Sequence, residues 1–239
     1  MLMLDANSAV PPIVQNLGKI VTAIGALGTA AFGLVDATKT LPFGGVNCIG
    51  FGKIKSAVQS LTPGTPSQGL TQGKIIETLQ ANWFNGKDLA SQKAIAKSLI
   101  KQGLTEANAP ALAALTGVDA TVLKTVATKI PAGTALLQDE SDVYARFDFV
   151  LTALLDQVYQ DGDQRYTNWT RIFAMFFAIA LAIVAGWQLS GRAFAAFWWT
   201  PEMAQALLVG LLATPLAPIA KDLSSALATA VNTMQAIKK

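Results

Sequence analysis

Residues 172–191 read IFAMFFAIALAIVAGWQLSG, twenty positions without a charge, closed off by Arg171 on one side and Arg192 on the other. As a helix rising 1.5 Å per residue the stretch is about 30 Å long, the thickness of a bilayer's hydrocarbon core. Gln188 and Ser190 are its conspicuous polar groups. Tyr166 and Trp169 stand at one mouth, and Phe194, Phe197, Trp198 and Trp199 at the other. Rings with an apolar body and a polar tip favour the headgroup zone, so Tyr166, Trp169, Trp198 and Trp199 read as interfacial anchors. A buried helix of a soluble core has no use for such belts at both ends. The stretch reads as a membrane span.

A second span follows a short turn. Thr200 suits the N-cap, Pro201 the first helical position, and Glu202 adds negative charge to the first turn. Residues 203–220 are uncharged, about 27 Å of helix. Pro215 and Pro218 remove backbone donors late in this run, which predicts a kink or an unwound turn. The carbonyls they free need partners in lipid, so that face is expected to look toward other helices. Residues 169–220 thus form a transmembrane helical hairpin.

Residues 1–36 hold the remaining span. Residues 11–35 are mostly apolar, but Lys19 interrupts them, and the uncharged part, 20–35, has only 16 positions. It crosses the bilayer if Lys19 snorkels to the interface; otherwise the helix lies at the surface. Gly18, Thr22, Gly25, Thr29 and Gly33 recur at spacings of three and four, a small-residue stripe suited to packing against another membrane helix. A signal peptide fits poorly, because Asp5 stands where basic residues belong.

The composition agrees with this division. Of 239 residues, 52% are hydrophobic and 14% charged, well below the roughly 25% charged of an ordinary soluble domain. Residues 172–220 carry two charges, Arg192 and Glu202, whereas 53–171 carry 12 basic and 11 acidic side chains. Histidine is absent and Cys48 is the sole cysteine. That excludes a disulfide framework, a Cys/His zinc site and any histidine-dependent triad.

The basic residues also orient the chain. Residues 36–171 and 221–239 together hold 16 of the 18, leaving Lys19 and Arg192 on the other side. The positive-inside rule then sets the N-terminus out, the middle in, the hairpin turn out and the C-terminus in, across a bacterial inner membrane.

Residues 37–69 begin with the uncharged, glycine-rich TLPFGGVNCIGFG of 40–52, expected at the interface or under the bundle. A short helix over 53–61 and the linker TPGTPSQG of 62–69 follow. Residues 70–135 read as a small helical soluble domain with helices near 71–83, 89–102, 105–115 and 119–130, punctuated by Asn85-Gly86, Gly103, Gly117 and Pro131. Residues 136–168 form an amphipathic stalk helix with Val143, Phe147, Val150, Leu151, Leu154, Leu155 and Val158 on one face. Asp161-Gly162-Asp163 is expected to break it from the hairpin. Residues 221–239 form a second amphipathic helix, expected to pair with the stalk and to dock a partner.

No motif supplies chemistry. GGVNCIGFGK resembles a phosphate loop, but Asn47 stands where the first glycine is required, and Ile54 where Ser or Thr is. Cys48 has no histidine to activate it and reads as a small buried hydrophobe. Asp161-Gly162-Asp163 opens like a calcium loop, yet Arg165 and Tyr166 follow where a ligand and a glycine belong. The glycosylation sequon Asn168-Trp169-Thr170 falls on the cytoplasmic edge, where it is not used. Lys93, Lys97 and Lys101 recur every fourth residue, and residues 130–163 hold seven acids against Arg146 alone. The plain account is two solvated faces attracting each other within the chain; the sharper one is docking of Lys93, Lys97 and Lys101 on lipid headgroups or an acidic partner. Lysines without arginine or interleaved aromatics do not describe a nucleic-acid surface.

The expectation is therefore an all-α integral membrane protein with a C-terminal transmembrane helical hairpin, an N-terminal transmembrane helix and a small helical cytoplasmic domain. Its function is expected to be that of a non-catalytic membrane anchor or adaptor, without cofactor, metal or small-molecule substrate. Its partners would be membrane lipids and either another protein or further copies of itself. The rival reading is an oligomeric pore or channel-like protein lined by the small-residue stripe.

Overall fold

The computed structural model describes residues 12–39, 44–63 and 70–237, with side chains described between residues 20 and 219 and at Asp222. The regular elements among these residues are all α-helices. They fall into two compact units: a span unit, made of residues up to Thr38 and from Thr170 onward, and a charged unit, Lys39–Trp169.

The span unit contains α1 (Pro12–Thr38), the end of α7 (Gln138–Ser190), the single turn α8 (Phe194–Phe197) and α9 (Pro201–Ile237). Three of its helical stretches, Ile20–Thr38, the apolar end of α7 and Pro201–Ile219, are long and apolar enough to cross a membrane. Its packing differs from that of a water-soluble core. Mostly small side chains lie inside: Ala174, Ala178 and Ala182 on α7, and Ala206, Ala213 and Ala217 on α9, are all buried, beside the larger Val35, Phe197 and Met203. Other large ones lie outside, among them Phe176, Val184, Leu208, Leu212 and Ile219. Between helices in lipid there is no hydrophobic drive to hide large apolar groups, so close backbone approach decides which face turns inward. This is the architecture of a membrane protein.

The charged unit contains α2 (Val46–Leu61), α3 (Gln72–Phe84), α4 (Leu89–Gln102), α5 (Ala109–Thr116), α6 (Ala120–Lys129) and the first part of α7. Side-chain caps set three of its helix starts. Thr71 Oγ1 accepts from Lys74 N, Asp88 Oδ1 from Ser91 N and Asp119 Oδ1 from Val122 N. Gly117 closes α5 in the left-handed conformation at φ 65°. One apolar core joins Phe51, Ile54 and Val58 of α2 to Leu79 and Trp83 of α3, Ile100 of α4, Leu112 of α5, Leu123 of α6, and Phe147, Leu151, Leu155 and Tyr159 of α7.

That core corrects several expectations. The domain does not stop at 70–135: the interfacial segment and the stalk are both part of it. The apolar face of the stalk is filled by α2–α6; the pairing expected of residues 221–239 falls on side chains outside the described residues, Asp222 excepted. The helix of 53–61 begins instead at Val46, after Gly44 and Gly45 at φ 66° and 50°. Burial of Val46, Gly50 and Phe51 outweighs the poor helix propensity of their glycine-rich surroundings. Residues 105–108 form a turn before α5, in which Thr105 N donates to Asn108 Oδ1 at 2.7 Å and Asn108 N to Thr105 Oγ1 at 3.3 Å. Cys48 is exposed rather than buried.

The largest correction is α7. Asp161-Gly162-Asp163 does not break it, and the helix runs through all 53 residues, about 80 Å. Gly162 serves as a packing notch: a Cβ there would lie 3.1 Å from Gly50 O and 3.2 Å from the Ile54 side chain. A glycine that signals a turn in the sequence admits a neighbouring helix in the fold. Pro215 and Pro218 likewise stand inside α9 without ending it.

Candidate functional site

Lys93, Lys97 and Lys101 lie on one face of α4, turned toward α7. Lys93 pairs with Asp156, Lys97 Nζ lies 3.1 Å from Asp148 Oδ2, and Lys101 Nζ lies 2.8 Å from Asp148 Oδ1. Lys101 also sits 4.7 Å above the Tyr144 ring. Farther along, both carboxylate oxygens of Glu140 accept from Lys129 Nζ, and one also accepts the N–H of Leu137 at the start of α7. The lysine face thus clamps α4 onto α7 within the chain.

These pairs give the fold an acid dependence. The Lys101 hydrogen bond, then that of Lys97, holds the Asp148 carboxyl below its ordinary value, and Lys129 does the same for Glu140. A lowered carboxyl contributes stability above about pH 4 and loses it as pH falls through the folded-state value. The thermal midpoint of the full chain in detergent is therefore expected to drop below about pH 4. Asp148→Asn should cost about 1 kcal/mol at pH 7 and flatten part of that decline. An identical pH profile for wild type and variant would show that the clamp contributes nothing.

In the span unit the predicted stripe and the observed contact of α1 share Gly25, and the rest of the contact lies beside the stripe. Ala31 and Val35 are fully buried, with Ile24 and Leu27 packed beside them. The closest approach is at Gly28, where a Cβ would lie 2.2 Å from Ala213 O of α9. Of the predicted residues Gly25 is buried, whereas Thr22, Thr29 and Gly33 are exposed; the Thr29 hydroxyl donates to Gly25 O at 3.0 Å. The side chain at position 18 lies outside the described residues. The small-residue contacts that the sequence reading missed are in the hairpin. Ala174, Ala178, Ala182 and Gly186 recur every fourth residue on α7, and Gly210 of α9 would place a Cβ 2.6 Å from Ile179 Cα. That regular spacing was the available signal.

The aromatic anchors divide between the units. Trp198 and Trp199 are exposed around the hairpin turn, Trp199 at 92%. Nearby, the Trp187 indole donates to Arg192 O at 2.9 Å, and Phe194 stacks edge-on with Trp187 and Trp198. Trp169 is 41% exposed. Tyr166 packs edge-on to Trp83 at 6.1 Å, with Lys39 Nζ 5.3 Å from its ring centre.

No family model, curated protein or solved structure matches the chain. Its concavities then carry what chemistry the fold offers. An apolar groove of about 730 Å³ runs through the span unit between Ile20, Leu27, Ala182, Leu189 and Val209, with Arg192 and Glu202 at one end. A smaller cleft of about 270 Å³ opens in the charged unit between Lys39, Lys87, Asp163, Gln92, Trp83 and Tyr166. Among the described residues no cluster of three or more cysteine, aspartate or glutamate side chains could hold a metal ion.

Proposed function

We propose that the protein is a non-catalytic membrane anchor or adaptor, holding a partner or a larger assembly at the bilayer through its charged unit. The observation that carries this reading is α7. One helix supplies Phe147, Leu151, Leu155 and Tyr159 to the charged unit and Ala174, Ala178 and Ala182 to the span unit, so the segment that would carry the partner and the segment that would cross the bilayer are consecutive in the chain. Apolar side chains left in water on the charged unit support a protein partner: Leu115, Ile130, Leu137 at 66% exposure and Phe149 at 74%. The distribution of lysine and arginine supports a bacterial inner membrane with the N-terminus out and both the charged unit and the C-terminus in.

Affinity purification of the full chain from membranes tests the function. A defined complex should co-purify, and Leu137→Asp with Phe149→Asp should release it while the protein stays membrane-bound. Absence of any stoichiometric partner would sink the anchor reading. Orientation has its own reporter, because Cys48 is the single thiol and is exposed. A membrane-impermeant maleimide should label inverted vesicles and spare right-side-out ones; the opposite pattern would invert the topology.

A second reading rests on the exposed Thr22, Thr29 and Gly33 of α1, which leave a small, weakly polar face for further copies of the chain around an oligomeric pore. Ion or dye flux from liposomes, abolished by bulky substitutions at Gly25 and Gly33, would favour it.

A further inference from the structure

The cleft of the charged unit is assembled from four separate segments: Lys39 after α1, Asn47 in α2, the α3–α4 connection from Trp83 to Gln92, and Asp163 with Tyr166 on α7. Its walls are aromatic, and the Trp83 indole is committed to Asn47 O at 3.1 Å. Lys39 sits over the Tyr166 ring, and Lys87 adds a second ammonium at the rim. Two carboxylates balance them. Asp88 is engaged with the start of α4 through Ser91 N, which leaves Asp163 as the acidic wall.

Gln92 is the decisive residue. It is 2% exposed; its amide nitrogen donates to Lys87 O, while its side-chain oxygen is buried without a partner. A buried acceptor left without a donor is costly, so this wall of the cleft calls for a ligand that brings an N–H or O–H. At about 270 Å³ the space falls below the roughly 300–1,000 Å³ that encloses a whole drug-sized ligand, and it fits a polar headgroup whose remainder lies elsewhere. Chain distance gives the source. Lys39 directly follows the candidate span that ends at Thr38, and Tyr166 precedes the apolar run at Ile172 by six residues, about 9 Å of helix. Both lie within reach of the headgroup layer of a bilayer crossed by those helices.

We propose that this cleft seats the headgroup of a zwitterionic phospholipid bearing a primary ammonium. The phosphodiester lies against Lys39 and Lys87, and the ammonium donates to the Gln92 side-chain oxygen and to Asp163. The equal count of two lysines and two aspartates suits a zwitterion rather than a net anion. A choline headgroup carries no N–H and leaves the Gln92 oxygen unpaired, so the cleft discriminates between two lipids of the same net charge. The inference rests on the reading that α1 and the apolar end of α7 cross the bilayer, and it adds lipid selectivity to the anchor.

Native mass spectrometry of the full chain in maltoside micelles tests it. The micelles would contain equal amounts of phosphatidylethanolamine, phosphatidylcholine and phosphatidylglycerol with identical acyl chains. Phosphatidylethanolamine should be retained over phosphatidylcholine roughly tenfold. Gln92→Met should bring the ratio toward one, Lys87→Ala should lower retention of both lipids, and water-soluble glycerophosphoethanolamine should displace the lipid. Equal retention of the three lipids, preference for phosphatidylglycerol, an unchanged ratio in Gln92→Met, unchanged retention in Lys87→Ala, or displacement by inorganic phosphate alone would overturn the proposal. The assay needs no protein partner, so loss of selectivity leaves the anchor reading standing, and failure to find a partner leaves the headgroup site standing.

Discussion

Gly28→Leu is expected to lower the thermal midpoint of the detergent-solubilised chain by roughly 6–12 °C, the equivalent of about 3 kcal/mol. The argument is geometric. A Cβ at this position would lie 2.2 Å from Ala213 O, 2.8 Å from Ala213 C and 2.9 Å from Ala217 Cβ. Two of these atoms are backbone of α9, so a larger residue is accommodated only by moving one helix away from the other. Separation opens the contacts of Ala31, Val35, Ile24 and Leu27, and in lipid no hydrophobic drive restores them. Gly33→Leu is the internal control. Nothing lies within 4 Å of a Cβ there, and the change should stay within about 0.5 kcal/mol. Equal losses at the two positions would mean that α1 meets α9 with a different face.

The second large effect lies in α2, where two glycines two residues apart should respond with opposite signs. A Cβ at Gly50 would lie 2.7 Å from the Trp83 ring, 2.9 Å from Gly162 O and 2.9 Å from Tyr166 Cβ, three contacts from two helices. Trp83 cannot easily yield, because its indole is bonded to Asn47 O and its ring packs on Tyr159 as well as Tyr166. Gly50→Ala should therefore destabilise by about 2–3 kcal/mol. Gly52 has open space around it, and Gly52→Ala should stabilise by about 0.5–1 kcal/mol through helix propensity alone. Denaturant titration of the full chain reads both. Stabilisation by Gly50→Ala would refute the close crossing of α2 and α7.

Local signals wrote much of this fold into the sequence, and tertiary ones did not. Asp88 and Gly103 bracket α4, and Asp119 opens α6, because capping is a transaction between residues three or four apart. The uncharged run before Arg192 predicts a helix of spanning length by composition alone, and the structure ends α7 at Ser190, followed by Gly191 at φ 62°. The helix through Gly50 was not legible, since its glycines have poor propensity and its stability comes from Trp83, Ile54 and α7. The continuity of α7 was hidden for the same reason. Asp161-Gly162-Asp163 has the composition of a turn, and only the presence of Gly50 across the interface explains its helical use. The attraction between the lysine and acid runs was readable as an account of the charges, but the pairing of both Lys97 and Lys101 with Asp148 required two helices in register. The cleft around Gln92 left no sequence trace at all. Its residues are scattered from position 39 to position 166, and its defining property, an acceptor without a donor, exists only after folding.

The unbroken course of α7 also limits how the chain can change. Each residue in a helix advances the azimuth by about 100°, so within the charged unit one insertion between Phe147 and Leu151 would swing Phe147 by that angle away from the row of Leu151, Leu155 and Tyr159 that fills the core. Seven residues, about two turns, restore the phase to within about 20°. A loop at the same point would absorb any length, but a continuous helix accepts only certain increments. This part of α7 behaves as a keyed shaft, with permitted lengths spaced a turn or two apart.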